Sequence, residues 1–330
     1  MRDGMRLFAG VALACAVLFA GGARAEPIEL KFGHVGEPGS LFAASAEEFA
    51  RRANEKLGDK GKVVVFGSSQ LGGDDELLQK LKLGTVDFAL PSTVMSSVAD
   101  EFGVFEMPYL IKDREHMKRV ENDLFWSELA PAAEAKGYKI LAVWENGFRH
   151  ITNNARPISV PADLKGIKLR VPKGEWRVKM FQAYGANPTP MAFSEVFTAL
   201  QTGVIDGQEN PFAQIASAKF QEVQKYLSLT GHVYTPGYVT VGKNKWEGLP
   251  EDVRQILEET AKETQAFVYE TAARLDTELL EELKAGGIEV NEADKKAFVE
   301  ASGGIYDEFS TKVPKGRELI DRSLALADAS

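Results

Sequence analysis

Two arginines and one asparagine stand where short strands are predicted to end, and they are suited to binding an anion. Arg149 follows the strand-like stretch "ILAVWENGF", Arg170 ends "IKLR", and Asn210 follows "VIDGQE". In an open α/β sheet, side chains at the carboxyl ends of the strands face the crevice in which ligands bind. A guanidinium presents a planar fork of donors that matches a carboxylate. The three positions therefore predict a cleft for an anionic ligand.

Arg170 gives the most specific of these signals. Alternation along the strand puts the apolar residues of "IKLRV" on one face, and Lys168 and Arg170 on the other. An arginine withdrawn from water costs several kcal/mol unless it is paired. The partner is either an acidic residue of the same chain or a ligand. The strand-end position and the nearby Arg149 favour the ligand.

Other candidates follow the same strand ends or supply apolar walls. His34 follows "IELKFG" and is equally explained as a structural histidine, while Asn210 could instead cap the turn before Pro211. Among the aromatic residues Phe193 is preferred because it precedes Ser194, a predicted helix N-cap. The remaining candidates for the cleft are Ser92, Thr93, Pro172, Trp144 and Tyr234.

Motifs of common catalytic sites are missing from the sequence. There is no Gly-x-Ser-x-Gly elbow, no phosphate loop and no His-Glu-x-x-His motif. The acidic stretch "GGDDE" (72–76) could hold a cation, but the helix dipole explains carboxylates in a first helical turn. We therefore expect no catalytic residue, no metal and no cofactor. An enzyme that uses His34 and a carboxylate as acid and base stays an alternative.

The first 25 residues have the pattern of a cleaved secretory signal peptide. They contain Arg2 and Arg6, an apolar run over residues 7–20 and a small-x-small end, "ARA". The only cysteine, Cys15, lies inside the apolar run, which disfavours a lipoprotein. Cleavage would leave 305 of the 330 residues, without any cysteine, so we expect an exported protein that is stabilised by its core.

The charge of the mature chain narrows the classes of partner. Cleavage removes three arginines and one aspartate, so the formal net charge goes from -9 to about -11. Such an acidic chain argues against nucleic acid or an anionic membrane surface as partner. No second apolar run approaches the roughly 20 residues of a membrane-spanning helix, so we expect a soluble protein in the periplasm.

Strand-like and helix-like stretches alternate along the chain and again from Lys139, which predicts two α/β lobes with largely parallel sheets. The stretches 76–87, "ELLQKLKLGTVD", and 195–206, "EVFTALQTGVID", are similar at an offset of 119 residues. This repeat suggests similar lobes, although any helix-glycine-strand unit would look alike. Residues 249–287 predict a helix of over 30 residues that packs along or between the lobes.

Several longer stretches together resemble a known family. They are "KFGHVGEPGS", "FGSSQLGGDDELLQKLKLGTVDFAL", "GFRHITNNARPI", "LKGIKLRVP", "NPTPMAFSEVFTALQTGVIDGQENP" and "KFQEVQKYLSLTGH". In combination they are similar to the periplasmic substrate-binding subunit of tripartite ATP-independent periplasmic (TRAP) transporters, in the branch that binds C4-dicarboxylates and sialic acid. The resemblance covers essentially the whole mature chain.

The resemblance implies a two-lobed "Venus flytrap" with strands crossing between the lobes and a long helix spanning both. Lobe I would comprise residues 26–147 and about 235–276, and lobe II residues 148–234 and about 277–330. It also implies that an organic acid is captured in the cleft and delivered to a membrane permease of a small and a large subunit. The binding protein itself is expected to be a monomer.

The family also implies roles for individual residues. The arginine of its "LKGxKLRVP" motif, here Arg170, pairs with the substrate carboxylate. Arg149 and Asn210 complete the anion site, and Phe193 lines the pocket.

This sequence departs from the sialic-acid binders at three polar positions. It has Val35 and Gly73 where they have an asparagine and an acidic residue, and it lacks their glutamate near Ser92. A smaller acid is therefore favoured: a C4-dicarboxylate, an aldonate or uronate, a hydroxy or oxo acid, or a sulfonate such as isethionate. A binding protein that signals to a membrane receptor is a further alternative.

Overall fold

A computed structural model describes residues 27–327, and the predicted signal peptide lies outside the described residues. The chain folds into two sheets flanked by helices, so the predicted α/β class with mostly parallel strands is confirmed. In chain order the strands are β1 (Ile28–Gly33), β2 (Gly61–Phe66), β3 (Phe88–Ala89), β4 (Tyr138–Phe148), β5 (His150–Asn153), β6 (Lys168–Val171), β7 (Asn187–Pro190), β8 (Gly207–Asn210), β9 (Tyr226–Leu229), β10 (Tyr234–Gly242) and β11 (Glu289–Glu292).

The helices pack on these sheets, and short 3-10 and π segments join them. The α-helices are α1 (Leu41–Leu57), α2 (Asp74–Leu83), α3 (Arg114–Val120), α4 (Ala130–Ala135), α5 (Glu175–Ala183), α6 (Val196–Gln201), α7 (Phe212–Ser217), α8 (Lys243–Glu247), α9 (Glu251–Ala285), α10 (Lys295–Glu300), α11 (Gly303–Lys312) and α12 (Gly316–Ala325). None of the helices within residues 27–327 combines the length and the apolar character that crossing a bilayer requires.

The first sheet has the strand order β2-β1-β3-β10-β4, and we call the part of the molecule around it the first lobe. Strands β1, β2 and β3 run parallel, and β10 runs antiparallel to β3 and β4. Alternation in β1 buries Leu30 and Phe32 completely, and the Phe32 ring lies 6.3 Å from that of Trp144 on β4. The apolar face of the sheet thereby forms a core beneath α1 and α9.

The second sheet has the order β11-β9-β5-β8-β6-β7 and forms the second lobe. Strand β6 lies parallel to both of its neighbours, β7 and β8. Its carboxyl end therefore opens at the same edge as that of β8. Because Arg170 stands in β6 and Asn210 ends β8, this edge carries two of the predicted anion-binding residues.

The chain passes between the lobes repeatedly. Strand β4 of the first sheet leads through Arg149 directly into β5 of the second, and β9 leads back to β10. The 35-residue helix α9 contacts α1 and β4 in the first lobe and α7 in the second, so the predicted long spanning helix is present. These connections hold the facing edges of the two sheets close together.

The C-terminal helix α12 packs against the first lobe, although the predicted division places residues 277–330 in lobe II. Its Leu319 and Ile320 are buried, and the Ser323 carbonyl oxygen lies 2.7 Å from Nε2 of His116 on α3. The amphipathic face of α12 covers 3-10 and π segments of the first lobe (100–106 and 121–129). Helix α12 also packs against α11, which contacts α5 of the second lobe, so the predicted lobe boundaries all stay a prediction.

Candidate binding site

Arg170 is a buried cation without an acidic partner. Its neighbours Leu169 and Val171 point into the core, and the side chain of Arg170 itself is only 3% exposed. Nε and Nη2 donate to the Met191 carbonyl oxygen at 3.0 and 2.7 Å. No ion pair within residues 27–327 involves Arg170, and Nη1 has no hydrogen-bond partner there. The guanidinium can therefore accept an anion.

A small cavity, which we call the inner cavity, lies between the lobes beside Arg170. Its volume is about 30 Å³. The first lobe contributes the loop after β3 and the second lobe contributes the ends of β6 and β8. Seven of the ten residues predicted for the cleft line it: Arg170, Arg149, Asn210, Phe193, Ser92, Thr93 and Pro172.

A larger space of about 270 Å³, the outer cavity, shares Arg170, Asp74 and Phe193 with the inner one. It is lined on the first lobe by the acidic start of α2 and on the second lobe by Lys173 and Glu195. The Phe193 ring centre lies 5.9 Å from the Arg170 guanidinium carbon and so forms an apolar wall of both cavities. Together the cavities form one cleft that narrows towards Arg170.

His34, Trp144 and Tyr234 line neither cavity. The Nδ1 atom of His34 accepts a hydrogen bond from the Gly36 amide at 3.1 Å, and burial lowers the pKa of His34 to about 4. Trp144 is fully buried and its Nε1 donates to the carbonyl oxygen of Ala261 on α9. Tyr234 packs its ring 5.0 Å from that of Phe148. All three side chains are buried, and their contacts lie in the core around the first sheet rather than in the cleft.

Arg149 lies on the inner cavity and is already paired within the chain. Its Nε and Nη2 donate to the two carboxylate oxygens of Glu209 at 2.6 and 3.0 Å. Nη2 also donates to Oδ1 of Asn210 at 2.9 Å, and Nδ2 of Asn210 donates to Gln208. Of the two explanations for a buried strand-end arginine, the internal salt bridge therefore holds for Arg149. Asn210 is oriented by this arginine at the edge of the cavity.

Glu209 is the centre of a buried charge network that the sequence did not indicate. It also accepts from Nη1 of Arg177 at 2.6 Å and from Nε2 of His232 at 3.0 Å. A second carboxylate, Glu106, lies 2.7 Å from Nη2 of Arg177. The available signal was the position of Glu209 one residue before Asn210 in "GQENP". The network fixes Arg149 and thereby the rear wall of the cleft.

Burial and pairing together set the charge states of this network. Burial alone would raise the pKa of Glu209, but Arg149 and Arg177 outweigh it and hold that pKa below its usual range. Burial raises the pKa of Glu106, and Arg177 opposes that rise. Burial also lowers the pKa of His232 to about 4, so the ring is neutral near pH 7. In formal charge, the two arginines balance the two carboxylates.

Three further polar residues line the inner cavity and were not among the predicted ones: Asp74, Asn146 and Gln214. Asp74 belongs to the "GGDDE" stretch at the start of α2. Burial raises its pKa to about 7, although the nearby Arg170 favours the charged form. Asn146 lies in the middle of a predicted strand, where alternation alone does not show that its side chain reaches the cleft.

The site has the features of a binding site for a small anion. It offers one cation without an acidic partner, fixed amide groups and an aromatic wall, enclosed between two lobes. Among the described residues, the Ser92 hydroxyl in the cavity donates to the Pro236 carbonyl oxygen at 2.6 Å and accepts from Nδ2 of Asn146, so its hydrogen bonds do not involve a general base. Within residues 27–327 no group of three or more His, Cys, Asp or Glu side chains is placed to hold a metal ion.

Known proteins share both this sequence pattern and this architecture. The DctP family model, described as bacterial extracellular solute-binding protein, family 7, matches residues 32–312. The 2,3-diketo-L-gulonate-binding periplasmic protein YiaO of Escherichia coli (strain K12) is 34% identical over 294 residues, which cover 88% of this chain and 90% of that protein.

Two solved structures of TRAP periplasmic solute-binding proteins are similar over almost their full length. The protein from Polaromonas sp. JS666, bound to D-erythronate, is 33% identical with a TM-score of 0.87, and 92% of this chain and 100% of that chain are covered. The protein from Sulfurospirillum deleyianum DSM 6946, with bound succinate, is 32% identical with a TM-score of 0.87 and coverage of 91% and 99%. This chain therefore belongs to family 7 of the bacterial extracellular solute-binding proteins and is a substrate-binding protein of a TRAP transporter.

Proposed function

We propose that this protein captures one small organic acid anion in the periplasm and delivers it to a TRAP membrane permease without changing it chemically. The observation that carries this proposal is Arg170, a buried guanidinium that faces an inter-lobe cavity and has no acidic partner within residues 27–327. The relatives described above bind 2,3-diketo-L-gulonate, D-erythronate and succinate, and a carboxylate is common to all three.

A ligand in the inner cavity would contact both lobes at once. Thr93 and Asn146 belong to the first lobe, and Arg170 and Asn210 to the second. Since these contacts exist together only when the lobes meet, binding shifts the equilibrium towards the closed form. In the open form water can solvate Arg170, which removes most of the cost of leaving the cation unpaired.

Two observations support binding rather than catalysis. Ser92, a hydroxyl in the inner cavity, has no base beside it, and His34, the residue that an acid-base mechanism would need, lies away from both cavities. We also propose that the protein acts as a monomer, that residues 1–25 are a cleaved export signal, and that its partner is a permease rather than a receptor. Permease genes beside its own would support that last point.

Arg170→Ala tests the proposed function. The acid is first identified by denaturing the purified protein and analysing the released small molecules by mass spectrometry. Calorimetry then measures its binding to the wild type and to the variant. Truncating one member of a desolvated, hydrogen-bonded charge pair costs about 2–5 kcal/mol, so we expect at least about 30-fold weaker binding.

Arg274→Ala is the matched control, because Arg274 is exposed on α9 and pairs only with Glu278 on the same helix. Circular dichroism must show the same fold for both variants. Wild-type affinity in Arg170→Ala, or turnover of the acid detected by NMR, would contradict the proposal.

A further inference from the structure

We propose that the ligand of this protein is a hydroxylated monocarboxylate, an acid with a single carboxylate and hydroxyl groups on the carbons next to it, rather than a dicarboxylate. This inference rests on the proposed function and narrows it. It assigns recognition of the hydroxyl groups to Thr93 and Asn146, two residues of the first lobe that face the carboxylate-binding arginine across the inner cavity.

Most cations that line the two cavities already have acidic partners within the chain. Arg149 and Arg177 are balanced by Glu209 and Glu106. Lys173, on the rim of the outer cavity, forms an ion pair with Asp75. Arg170 alone of the cations that line the two cavities has no acidic partner among the described residues. One carboxylate satisfies this cation, and a second negative charge would remain without a partner.

Several buried polar atoms have no hydrogen-bond partner among residues 27–327, and three of them belong to residues that line the inner cavity: Oγ1 of Thr93, Oδ1 of Asn146 and Oε1 of Gln214. Each of these residues is less than 10% exposed, with values of 6%, 6% and 3%, and each lines the inner cavity. Buried polar groups in folded proteins are nearly always paired, so these atoms indicate a ligand that pairs with them.

The hydrogen bonds of Asn146 show whether the ligand must donate or accept at this residue. The Ser92 hydroxyl donates to the Pro236 carbonyl oxygen, so its oxygen accepts from Nδ2 of Asn146 at 3.2 Å. This bond assigns Nδ2 of Asn146 to Ser92 and leaves its oxygen, which can only accept, without a partner among residues 27–327. The ligand must therefore supply a hydrogen-bond donor. An ionised dicarboxylate such as succinate has no donor, whereas a hydroxyl group has one.

The sizes of the two cavities determine where the rest of the ligand lies. The inner cavity of about 30 Å³ has room for roughly two water-sized groups, such as one carboxylate oxygen and the adjacent hydroxyl, but not for a whole four-carbon acid. The remaining carbons must extend past Asp74 into the outer cavity, whose walls include the side chains of Asp75, Glu76 and Glu195. Lys173 there is already paired with Asp75, so a second carboxylate would meet Glu76 and Glu195 without a free cation, while hydroxyl groups could donate to these acidic residues.

Acids of equal length but different polar groups test the inference. Calorimetry at pH 7.5 compares D-erythronate with succinate and with butyrate, all of four carbons, and D-gluconate with adipate, both of six. Of D-erythronate and D-gluconate, we expect the one that binds more tightly to have at least about 100-fold higher affinity than the dicarboxylate with the same number of carbons. The reason is that a site built to hydrogen-bond a hydroxyl group rejects analogues that lack this hydroxyl group. Butyrate separates the effect of the hydroxyl groups from that of charge.

Thr93→Val and Asn146→Leu keep the size of each side chain and remove its hydrogen bonding. The preference is the ratio of the affinity for a hydroxylated acid to the affinity for the dicarboxylate with the same number of carbons. Each variant should reduce this ratio at least about fivefold. Thr85→Val and Asn244→Leu are the matched controls, because both residues are exposed and line neither cavity. The controls should keep the wild-type preference, and circular dichroism with thermal unfolding identifies any variant that has lost its fold.

The outcomes distinguish this inference from the proposed function. A dicarboxylate that binds as tightly as the hydroxylated acid of its length, and that loses binding in Arg170→Ala, would overturn the inference and leave the proposed function intact. An unchanged preference in folded Thr93→Val and Asn146→Leu would also overturn it. Binding of none of these acids by the wild type would overturn the inference, and failure to bind any organic acid would overturn the proposed function too.

Discussion

Asp74 is an acidic residue on a cavity that has to bind an anion. Burial, with a contribution from Asp75, raises its pKa to about 7, and Arg170 pulls in the opposite direction. Near neutral pH Asp74 is therefore divided between a neutral and a charged form. The charged form repels a ligand carboxylate at Arg170, and the neutral form does not. The protonation of one side chain should thus control the affinity of the whole site.

We predict that the acid binds more tightly at pH 6 than at pH 8. As the pH falls through about 7, Asp74 takes up a proton and its repulsion of the ligand disappears. With an effective dielectric constant near 20, the change in affinity should be roughly three- to tenfold. Calorimetry of wild type and Asp74→Asn across this range measures it. The affinity of Asp74→Asn should not depend on pH in this way. Asp100→Asn, a control at an exposed residue, should show the same pH dependence as the wild type. Tighter binding of the acid by the wild type at pH 8 would contradict the prediction.

The sequence was most informative about residues at strand ends. The positions of Arg170, Arg149 and Asn210 follow from strand boundaries and from the ligand crevice of α/β sheets, both of which are local patterns. What the sequence could not show is where a strand is irregular. Trp144 and Asn146 stand two positions apart in β4, so alternation would put both on one face. The register of β4 against β10 shifts at Asn146, however, and Trp144 lies in the core while Asn146 lies on the cavity. Similarly, Glu209 pairs with Arg149 through a strand contact that spans 60 residues.

At the level of elements, the start of α2 faces the loop before α5 across the mouth of the cleft. Asp75 of α2 and Lys173 of the loop form an ion pair, with side chains 37% and 55% exposed. Behind it, a Cβ atom at Gly174 would come within 2.8 Å of Oγ of Ser96 in the first lobe. The two lobes therefore meet closely here, and the partly exposed ion pair is one of the contacts that hold them together.

We predict that Lys173→Ala weakens ligand binding less than about fivefold, because an exposed ion pair contributes at most about 1 kcal/mol. The effect should be in the dissociation rate, measured by stopped-flow fluorescence, and it should shrink in 1 M salt, where the Debye length is about 3 Å. Lys315→Ala is the control. It removes a comparable surface ion pair with Glu128, neither residue of which lines the cleft, and it should change neither the association rate nor the dissociation rate of the ligand. A loss of more than 100-fold would show instead that Lys173 binds the ligand directly.

Long-range packing between elements is also where sequence patterns are least informative. The alternation of strands and helices predicted the α/β class, and the apolar stripe of α9 predicted a long packed helix. The same kind of stripe on α12 shows only that this helix packs, not on which lobe. Its partner elements lie about 200 residues earlier in the chain, and the contact of His116 with Ser323 has no local signal.

For the unfolding of the whole molecule, the arrangement of the apolar core matters more than the division into two lobes. One core cluster joins Leu77 and Phe102 of the first lobe to Leu169 of the second. The other joins Phe32 of the first lobe to Leu227 of the second. Both clusters thus cross the lobe boundary, and α9 contacts elements of each lobe. Neither lobe encloses a core of its own, so one should not remain folded when the other unfolds.

We therefore predict a single calorimetric unfolding transition, although a protein with two lobes could show two. Ligand at 100 times its dissociation constant should add about 2.7 kcal/mol to the free energy of unfolding. For a chain of this size that corresponds to a rise in Tm of roughly 4 °C, with the transition still single. Arg170→Ala should unfold in one step at a Tm that the same ligand concentration raises by no more than about 1.5 °C. Two resolved transitions, of which the ligand shifts only one, would show instead that each lobe is stable by itself and that the shared core couples them weakly.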